Sequence, residues 1–226
     1  MHGQADGTGA LPAMPTRVLV VDDHLTFAQL LSRALDAEPD LECVGHSTNA
    51  EDGVAAAISL APDIVLMDLH LPDRDGISAT AELTAHDPEL KVLILTAHAS
   101  PFEMSRAGAA GASGFLAKDG SLDDVLSALR TARRGSLILP AAVLAEFTRP
   151  TTPIARGPES TLTPRELEVL RKLGQGLDPR GIAKDLGVSL HTCRGYVKSI
   201  LAKLEVHSQL EAVVVASRSG LIQLGE

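Results

Sequence analysis

The sequence has few aromatic residues and no long apolar run. Aromatic residues make up 2% of the 226 positions and hydrophobic residues 45%, so the cores are expected to consist mostly of Ala, Val, Leu and Ile. No apolar run approaches the roughly 20 residues that a helix needs to cross a bilayer, which excludes a membrane span. Residues 1–15 lack the basic and apolar regions of a secretory signal and are predicted to be a flexible tail.

The chain contains only two cysteines, Cys43 and Cys193, and they are far apart in the sequence. No metal-type spacing occurs, and two distant thiols do not make a disulfide framework. Both are predicted to be reduced and buried, which fits a cytoplasmic protein.

The net charge of −9 argues against a polyanion partner only if it is read over the whole chain. Residues 1–157 carry 11 basic and 21 acidic side chains, whereas residues 158–226 carry 9 basic and 8 acidic ones. Residues 189–204 contain three basic residues and no acidic one. Because salt screens charges beyond about 8–10 Å, this local balance leaves nucleic-acid binding open for the second part.

From residue 17 to about residue 134, short apolar runs alternate with amphipathic stretches. Five such βα units predict a doubly wound, five-stranded parallel sheet. Continuous apolar strands are typical of a sheet that is covered on both faces. The predicted strands are 17–21, 41–45, 63–67, 91–96 and 114–117, and the predicted helices are 24–36, 50–60, 76–87, 101–109 and 121–134.

A segment rich in Pro, Thr and Gly, TRPTTPIARGPES, follows at 148–160 and has no periodicity. It predicts a linker, and Pro140–Phe147 is predicted to be a short helix within the connection. The predicted division of the chain is a tail at 1–15, an α/β domain at 16–135, a connection at 136–160 and an all-α domain at 161–226.

The last part has sharp helix-start signals. Two capping boxes are predicted, at Thr163–Glu166 and Ser208–Glu211, with further N-caps at Asp178 and Ser189. They predict four short helices, and Gly187 predicts a tight turn between the second and the third. This pattern is typical of a helix-turn-helix.

Polar side chains follow four of the predicted strands, where each strand ends. Because the carboxyl ends of parallel strands share one edge, these groups are expected to converge. Carboxylates bind a hard divalent cation, and one carboxylate can act as a nucleophile toward phosphorus. A hydroxyl and an ammonium can hold phosphoryl oxygens. The groups are Asp22 and Asp23, Asp68, Thr96 and Lys118.

Each of these residues also has an ordinary interpretation. Asp22 and Asp23 can cap the next helix, Thr96 can be a simple strand residue, and Lys118 can be a solvated charge. Their joint occurrence favours a phosphoacceptor site. His24 is predicted only to begin the first helix, and His70 and His98 are predicted to be loop histidines near the site.

The third helix of the all-α domain is predicted to read DNA. An apolar stripe of Cys193, Val197, Ile200 and Leu204 is expected to pack on the first two helices of that domain. The opposite face then fits the major groove, with Arg194 or Lys198 on base edges or phosphates. The alternative is a solvated basic face. The predicted DNA-contacting residues are His191, Thr192, Arg194, Gly195, Lys198 and Lys203.

These residues also carry a family likeness. Residues 17–134 resemble the receiver domain of two-component response regulators, and residues 161–222 resemble the LuxR-type helix-turn-helix of the NarL/FixJ subfamily. The matching segments occur in the usual order and cover about four-fifths of the chain. They are VLVVDDH, DIVLMDLHLPDRDG, VLILTAH, GASGFLAKD, LTPRELEVL, IAKDLGVSLHT and KLEVHSQLEAV.

The resemblance implies a role for each site residue. Asp68 would accept a phosphoryl group from a sensor histidine kinase, and Thr96 and Lys118 would contact its oxygens. Phe115 would take part in the conformational switch, with an ordinary core residue as the alternative. A Mg²⁺ ion would be held by Asp22, Asp23, Asp68 and the backbone carbonyl of His70.

The resemblance further implies an active homodimer that binds promoter DNA. The last helix carries more apolar surface than one face needs, and part of it is predicted to form a two-fold contact through Val213, Val214, Ala216 and Ser217. The alternative is that all of this surface is core. Two other functions stay open: a receiver that acts without phosphorylation, and an aspartate-nucleophile phosphatase, which would usually have a second Asp in place of His70.

Overall fold

The computed structural model describes residues 14–97, 100–133, 136–138 and 162–222, and its first part is a parallel α/β domain. Five parallel strands form one sheet in the order β2-β1-β3-β4-β5. This confirms the predicted fold class, and each strand and helix lies within about two residues of its predicted position. The strands are β1 Thr16–Val21, β2 Leu41–Ser47, β3 Ile64–Asp68, β4 Lys91–Thr96 and β5 Gly114–Ala117, and the helices are α1 Leu25–Asp36, α2 Ala50–Leu60, α3 Gly76–His86, α4 Pro101–Ala109 and α5 Leu122–Arg133.

Both faces of the sheet are covered, as the continuous apolar strands predict. On one face Val18, Val20 and Leu66 pack with α1 and α5. On the other face Met67 and Phe115 belong to a core that extends into the all-α domain. The carboxyl edge of the sheet is thereby held rigidly between two packed layers.

Residues 136–138, which fall in the predicted connection, lie against the sheet. Ile138 forms a parallel bridge with Gly114, and its carbonyl accepts a 2.9 Å hydrogen bond from the Phe115 amide. Residues 1–13, the segment from 139 to 161 that includes the predicted helix at Pro140–Phe147, and His98 lie outside the described residues.

Four helices make up the second domain among the described residues, as predicted. The capping box of Thr163 and Glu166 is present, and Gly187 ends the second helix at φ +66°. The predicted second capping box is only half formed, because the Glu211 carboxylate accepts from the His207 amide while Ser208 still accepts from the Glu211 amide. These helices are α6 Pro164–Gly174, α7 Pro179–Leu186, α8 Leu190–Lys203 and α9 Gln209–Arg218.

The two domains touch through α4 and α9. The hydroxyl of Ser208, the N-cap of α9, donates a 2.7 Å hydrogen bond to the carbonyl of Gly108. Gly108 lies so close that a Cβ placed on it would be 3.1 Å from both the Cα and the amide nitrogen of Glu211. Glycine at this position therefore permits the backbones of α4 and α9 to approach each other.

Candidate functional site

The centre of the site is the carboxylate of Asp68 at the end of β3. Only 4% of this residue is exposed, and its Oδ2 atom lies 2.6 Å from Lys118 Nζ. The same ammonium lies 2.8 Å from Oδ2 of Asp22, which is fully buried after β1. Three strand ends therefore place two carboxylates around one cation, as the strand-end pattern predicts.

A tight loop after β3 orients the Asp68 carboxylate. The His70 amide donates a 3.2 Å hydrogen bond to Asp68 Oδ1, and the Gly76 amide donates to the Leu69 carbonyl at 3.0 Å. A Cβ on Gly76 would lie 1.9 Å from the Asp68 carbonyl oxygen, so no side chain fits there. The loop can close over the strand end only because this residue is glycine.

Burial and hydrogen bonding have opposite effects on the pKa values of Asp68 and Lys118. Burial raises the pKa of Asp68, and the hydrogen bond from Lys118 offsets only part of this rise. Burial alone lowers the pKa of Lys118, but the hydrogen bonds to Asp22 and Asp68 outweigh it and the pKa is raised. The ammonium therefore stays charged, while ionisation of the Asp68 carboxyl group is penalised by its surroundings.

Asp23 and His24 complete the cluster. His24 Nδ1 lies 2.7 Å from Asp23 Oδ1 and 3.3 Å from Asp22 Oδ1. One ligand atom each from Asp22, Asp23, His24 and Asp68 lie within 4.8 Å of one another. Hard carboxylate oxygens at this spacing fit a small divalent ion. Sequence reasoning did not include His24, although its place directly after two clustered carboxylates is the signal that could have found it.

Thr96 and Phe115 lie on the neighbouring strands. Thr96 ends β4, is 6% exposed, and its carbonyl accepts a 3.0 Å hydrogen bond from the Lys118 amide. Phe115 is fully buried on β5 opposite Ile94. Thr96 therefore lies at the same sheet edge as Asp68 and Lys118, whereas Phe115 lies two residues further inside the sheet.

The predicted reading face lies on α8. Cys193, Val197 and Ile200 are buried, and α8 packs on α6 and α7 as predicted. A Cβ added at Gly195 would meet nothing within 4 Å, so the centre of this face is open. The side chains that the pattern places on the outer face are all exposed: His191, Thr192, Arg194 and Lys198.

Lys203, which was also predicted to contact DNA, has a partner inside its own domain. Its ammonium lies 2.9 Å from Oε1 and 2.7 Å from Oε2 of Glu166, and the hydroxyl of Ser199 donates to Oε1 at 2.6 Å. Burial alone raises the pKa of Glu166, but the hydrogen bonds from Lys203 and Ser199 outweigh it and lower the pKa to about 2. This ion pair joins α6 to α8, the helix that carries the predicted reading face.

The residues predicted to form the dimer contact are largely covered in a single chain. Val213, Val214 and Ala216 are fully buried, and Ser217 is partly exposed. Part of α9 faces α4 of the first domain, and the rest packs on α6 and α8. A two-fold contact through α9 would therefore require that these side chains first become uncovered.

A cleft of about 900 Å³ lies between the domains. Arg194, Val197 and Leu201 of α8 line one side, and Lys91 and Arg133 of the first domain line the other. One side of the predicted reading helix thus faces the first domain rather than open solvent.

Comparison with known proteins agrees with this architecture. The model of the response regulator receiver domain matches residues 18–130, and the model of the luxR family of bacterial regulatory proteins matches residues 160–216. The chain belongs to the two-component response regulators with a LuxR-type DNA-binding domain. This family consists of transcription regulators rather than enzymes, which disfavours the phosphatase hypothesis.

Individual relatives are similar over nearly the whole chain. The response regulator protein VraR of Staphylococcus aureus is 34% identical over 210 residues, which are 93% of this chain and all of the relative. The structure of ChrA, from a heme-sensing two-component system, is 28% identical with a TM-score of 0.50 and covers 93% of this chain and all of that chain. A structure of two RcsB dimers bound to two parallel DNAs is 25% identical with a TM-score of 0.55, covering 90% and 98% of the two chains.

No helix among the described residues is both long enough and apolar enough to cross a membrane.

Proposed function

We propose that phosphorylation of Asp68 by a sensor histidine kinase controls dimerisation of this regulator and its binding to promoter DNA. The observation that carries the proposal is the buried Asp68 carboxylate, 2.6 Å from Lys118 and beside Asp22 and Asp23. A cytoplasmic location follows from the need to meet both kinase and DNA.

The chemistry is the transfer of a phosphoryl group from a donor histidine. One carboxylate oxygen of Asp68 forms a bond to phosphorus while the phosphorus–nitrogen bond breaks, and the electron pair of that bond leaves with the imidazole of the donor. Lys118 is already within hydrogen-bonding distance of Asp68 and can move onto a phosphoryl oxygen. Thr96, at the adjacent strand end, is proposed to hold a second oxygen.

The carboxylates fit the Mg²⁺ ion that receiver domains typically use. Asp22, Asp23, Asp68 and the backbone carbonyl of His70 are proposed to hold it, and Mg²⁺ needs only a few such ligands because it keeps several waters. When bound, the ion neutralises charge as an anionic carboxylate meets an anionic donor. Lys118 shares that role at the other side of Asp68.

The proposed switch runs from Thr96 to α4. A phosphoryl group adds about −1.5 to −2 charge and strong acceptor oxygens, which attract the Thr96 hydroxyl. Phe115, fully buried on the neighbouring strand, is proposed to take up the space that Thr96 leaves. Because Thr96 ends β4, directly before the loop that leads to α4, its movement is expected to weaken the contact of α4 with Ser208 and Glu211.

Release of α9 from α4 would have two consequences. Val213, Val214, Ala216 and Ser217 would become available for a two-fold contact between DNA-binding domains. Arg194, which lines the interdomain cleft, would become as accessible as the other residues proposed to contact DNA from α8, His191, Thr192, Gly195 and Lys198. Lys203 is proposed to contact a DNA phosphate while its ammonium remains paired with Glu166.

The test is phosphoryl transfer from acetyl phosphate with Mg²⁺, followed by sedimentation and DNA binding on recovered genomic fragments. The wild type should incorporate one phosphoryl group, form a dimer and bind DNA more tightly. Asp68→Asn should do none of these, and Asp73→Asn, a nearby carboxylate outside the cluster, should behave like the wild type. Full labelling of Asp68→Asn would refute the assignment, and a phosphorylated protein that neither dimerises nor binds DNA more tightly would refute the switch.

A further inference from the structure

His24 follows the two acidic residues at the end of β1, and its ring joins their carboxylates. Nδ1 lies 2.7 Å from an oxygen of Asp23 and 3.3 Å from an oxygen of Asp22. The nitrogen therefore faces the oxygens of two different carboxylates, at a hydrogen-bonding distance from Asp23 and slightly farther from Asp22.

The imidazole has no role in the helix that His24 begins. His24 is the N-cap of α1, but its side chain makes no capping hydrogen bond, and its side chain is 72% exposed. The backbone amide of His24 supports the site separately, by donating a 2.9 Å hydrogen bond to Asp22 Oδ1. A change of the side chain should therefore leave both the helix and the position of Asp22 intact.

The spacing of these atoms suits a shared metal ion. Adjacent ligands of an octahedral ion with bonds of about 2.1 Å lie about 3 Å apart. The two distances from Nδ1 to carboxylate oxygens lie on either side of that value. Asp68 contributes a further oxygen within the same 4.8 Å cluster.

We infer that His24 is a nitrogen ligand of the divalent ion in this receiver, and that it shifts the site from Mg²⁺ toward borderline ions such as Mn²⁺ and Co²⁺. The inference rests on the proposed function only in needing a metal at Asp22, Asp23 and Asp68. Imidazole binds transition metals well, whereas Mg²⁺ prefers oxygen ligands. One nitrogen among carboxylates should therefore change which ion binds best.

The direct test is pulsed electron paramagnetic resonance of the full-length protein with one equivalent of Mn²⁺. The wild type should show the strong nitrogen coupling of a directly bonded imidazole. His24→Ala and His24→Asp should still bind Mn²⁺ but lose that coupling. His70→Ala, which removes the other histidine at the rim of the cluster, should keep it.

Metal affinities measured by calorimetry provide the second readout. His24→Ala should weaken Co²⁺ binding by about 10- to 100-fold, the scale seen when metal-site partners are removed. Mg²⁺ binding should change by no more than about threefold, because oxygen ligands dominate its affinity. His24→Asp should bind Mg²⁺ at least as tightly as the wild type without restoring the preference for Co²⁺.

Two results overturn the inference and separate it from the proposed function. In the first, Mn²⁺ binds the wild type without imidazole coupling, although the protein is still phosphorylated at Asp68. His24 would then be only a hydrogen-bond partner of the carboxylates and not a metal ligand. Coupling that disappears in His70→Ala but not in His24→Ala would assign the nitrogen to His70. If Asp68 is not phosphorylated and Mn²⁺ does not bind at all, the proposed function fails together with the metal site.

Discussion

Ser208 donates a hydrogen bond of 2.7 Å to the Gly108 carbonyl, and the same hydroxyl accepts a 3.0 Å hydrogen bond from the Glu211 amide. One side chain therefore both caps α9 and ties it to α4 of the receiver. The contact joins α4, which follows Thr96 in the sequence, to α9, the helix proposed for dimerisation. A perturbation at this point should separate the domains without touching the phosphorylation site.

Gly108→Val should make the regulator active without phosphorylation. A side chain there collides with the Glu211 backbone, whose nearest atoms lie 3.1 Å from an added Cβ. The closed arrangement becomes costly, so dimerisation and DNA affinity should rise by about 5- to 150-fold, the usual range of coupling between sites. Sedimentation and fluorescence anisotropy on unphosphorylated protein measure both.

Ala109→Val is the matched control for Gly108→Val. It places the same β-branched residue at the next, exposed position of α4. It should remain a monomer with weak DNA binding. Equal behaviour of the two variants would mean that the α4–α9 contact does not restrain the protein.

Asp68→Asn should stabilise the protein at neutral pH. The pKa of Asp68 is raised mainly by burial, so the native state pays for the ionised carboxylate at any pH above that pKa. Below the ordinary Asp value of 3.8 the wild-type side chain is protonated and the difference should disappear. A gain of about 1 kcal/mol corresponds to a rise in Tm of about 2–4 °C, measured by calorimetry across this pH range.

Asp73→Asn should have the opposite effect on Tm. The Asp73 carboxylate accepts hydrogen bonds from the Ala50 and Glu51 amides at 2.8 and 2.9 Å, and the first of these is the main reason that its pKa is lowered. Its contribution to stability is present above the ordinary Asp pKa and is lost as the pH falls through the lowered value. If both variants shift Tm in the same direction, burial is not what distinguishes Asp68.

Glu166→Gln should destabilise the DNA-binding domain. The variant loses the charge that holds Lys203 and Ser199, which we expect to cost about 1–3 kcal/mol. Because the pKa of Glu166 is about 2 in the folded state against 4.5 ordinarily, its stabilisation is complete above about pH 4.5 and is lost as the pH falls toward 2. In thermal unfolding experiments, the Tm of the wild type and the Tm of the variant should converge as the pH falls from about 4.5 toward 2.

Glu168→Gln serves as the control for that experiment. Glu168 pairs with Arg165 at 2.9 Å on the same helix, but both side chains are exposed. Exposed pairs contribute about 0–1 kcal/mol, so Tm should barely move. A large fall in Tm for this variant would mean that stability depends on the total charge of the helix rather than on the pair of Glu166 and Lys203.

Arg194→Ala should weaken DNA binding without changing stability. Arg194 is exposed on the predicted reading face of α8, beside the interdomain cleft. Its loss should reduce affinity by about 1–3 kcal/mol, selectively at one base position if it reads a base edge. If Arg194 contacts a phosphate instead, the slope of the logarithm of the binding constant against the logarithm of salt concentration should become smaller by about one. Arg218→Ala, which removes a cation at the end of α9, should leave both quantities unchanged.

The strand and helix boundaries and the convergence of the candidate site residues could be predicted because they depend on neighbours in sequence. Apolar runs that end in Asp68, Thr96 and Lys118 indicate parallel strands, and parallel strands bring their carboxyl ends to one edge. Capping residues such as Thr163 and Ser189 mark helix starts within three or four positions. The DNA-binding half was recognisable for the same reason.

Other features depend on docking between distant segments, which no local pattern encodes. Lys203 has the pattern of a DNA contact, but the fold places it on Glu166, 37 residues earlier. The apolar positions of α9 allow either a dimer surface or core, and only the packing of α4, α6 and α8 against this helix determines which of them are covered. Ile138 falls in a predicted linker, yet a free strand edge at β5 was available to pair with it.

By itself the sequence determined the two-domain class of this protein and the chemical groups of its receiver site, because periodicity, caps and strand ends are local properties of the chain. The tertiary structure alone decided the burial that raises the pKa of Asp68, the turn of the His24 ring toward the carboxylates, and the closure of α9 against α4. These depend on which surfaces exclude water from one another, and that is settled only when separate segments pack together.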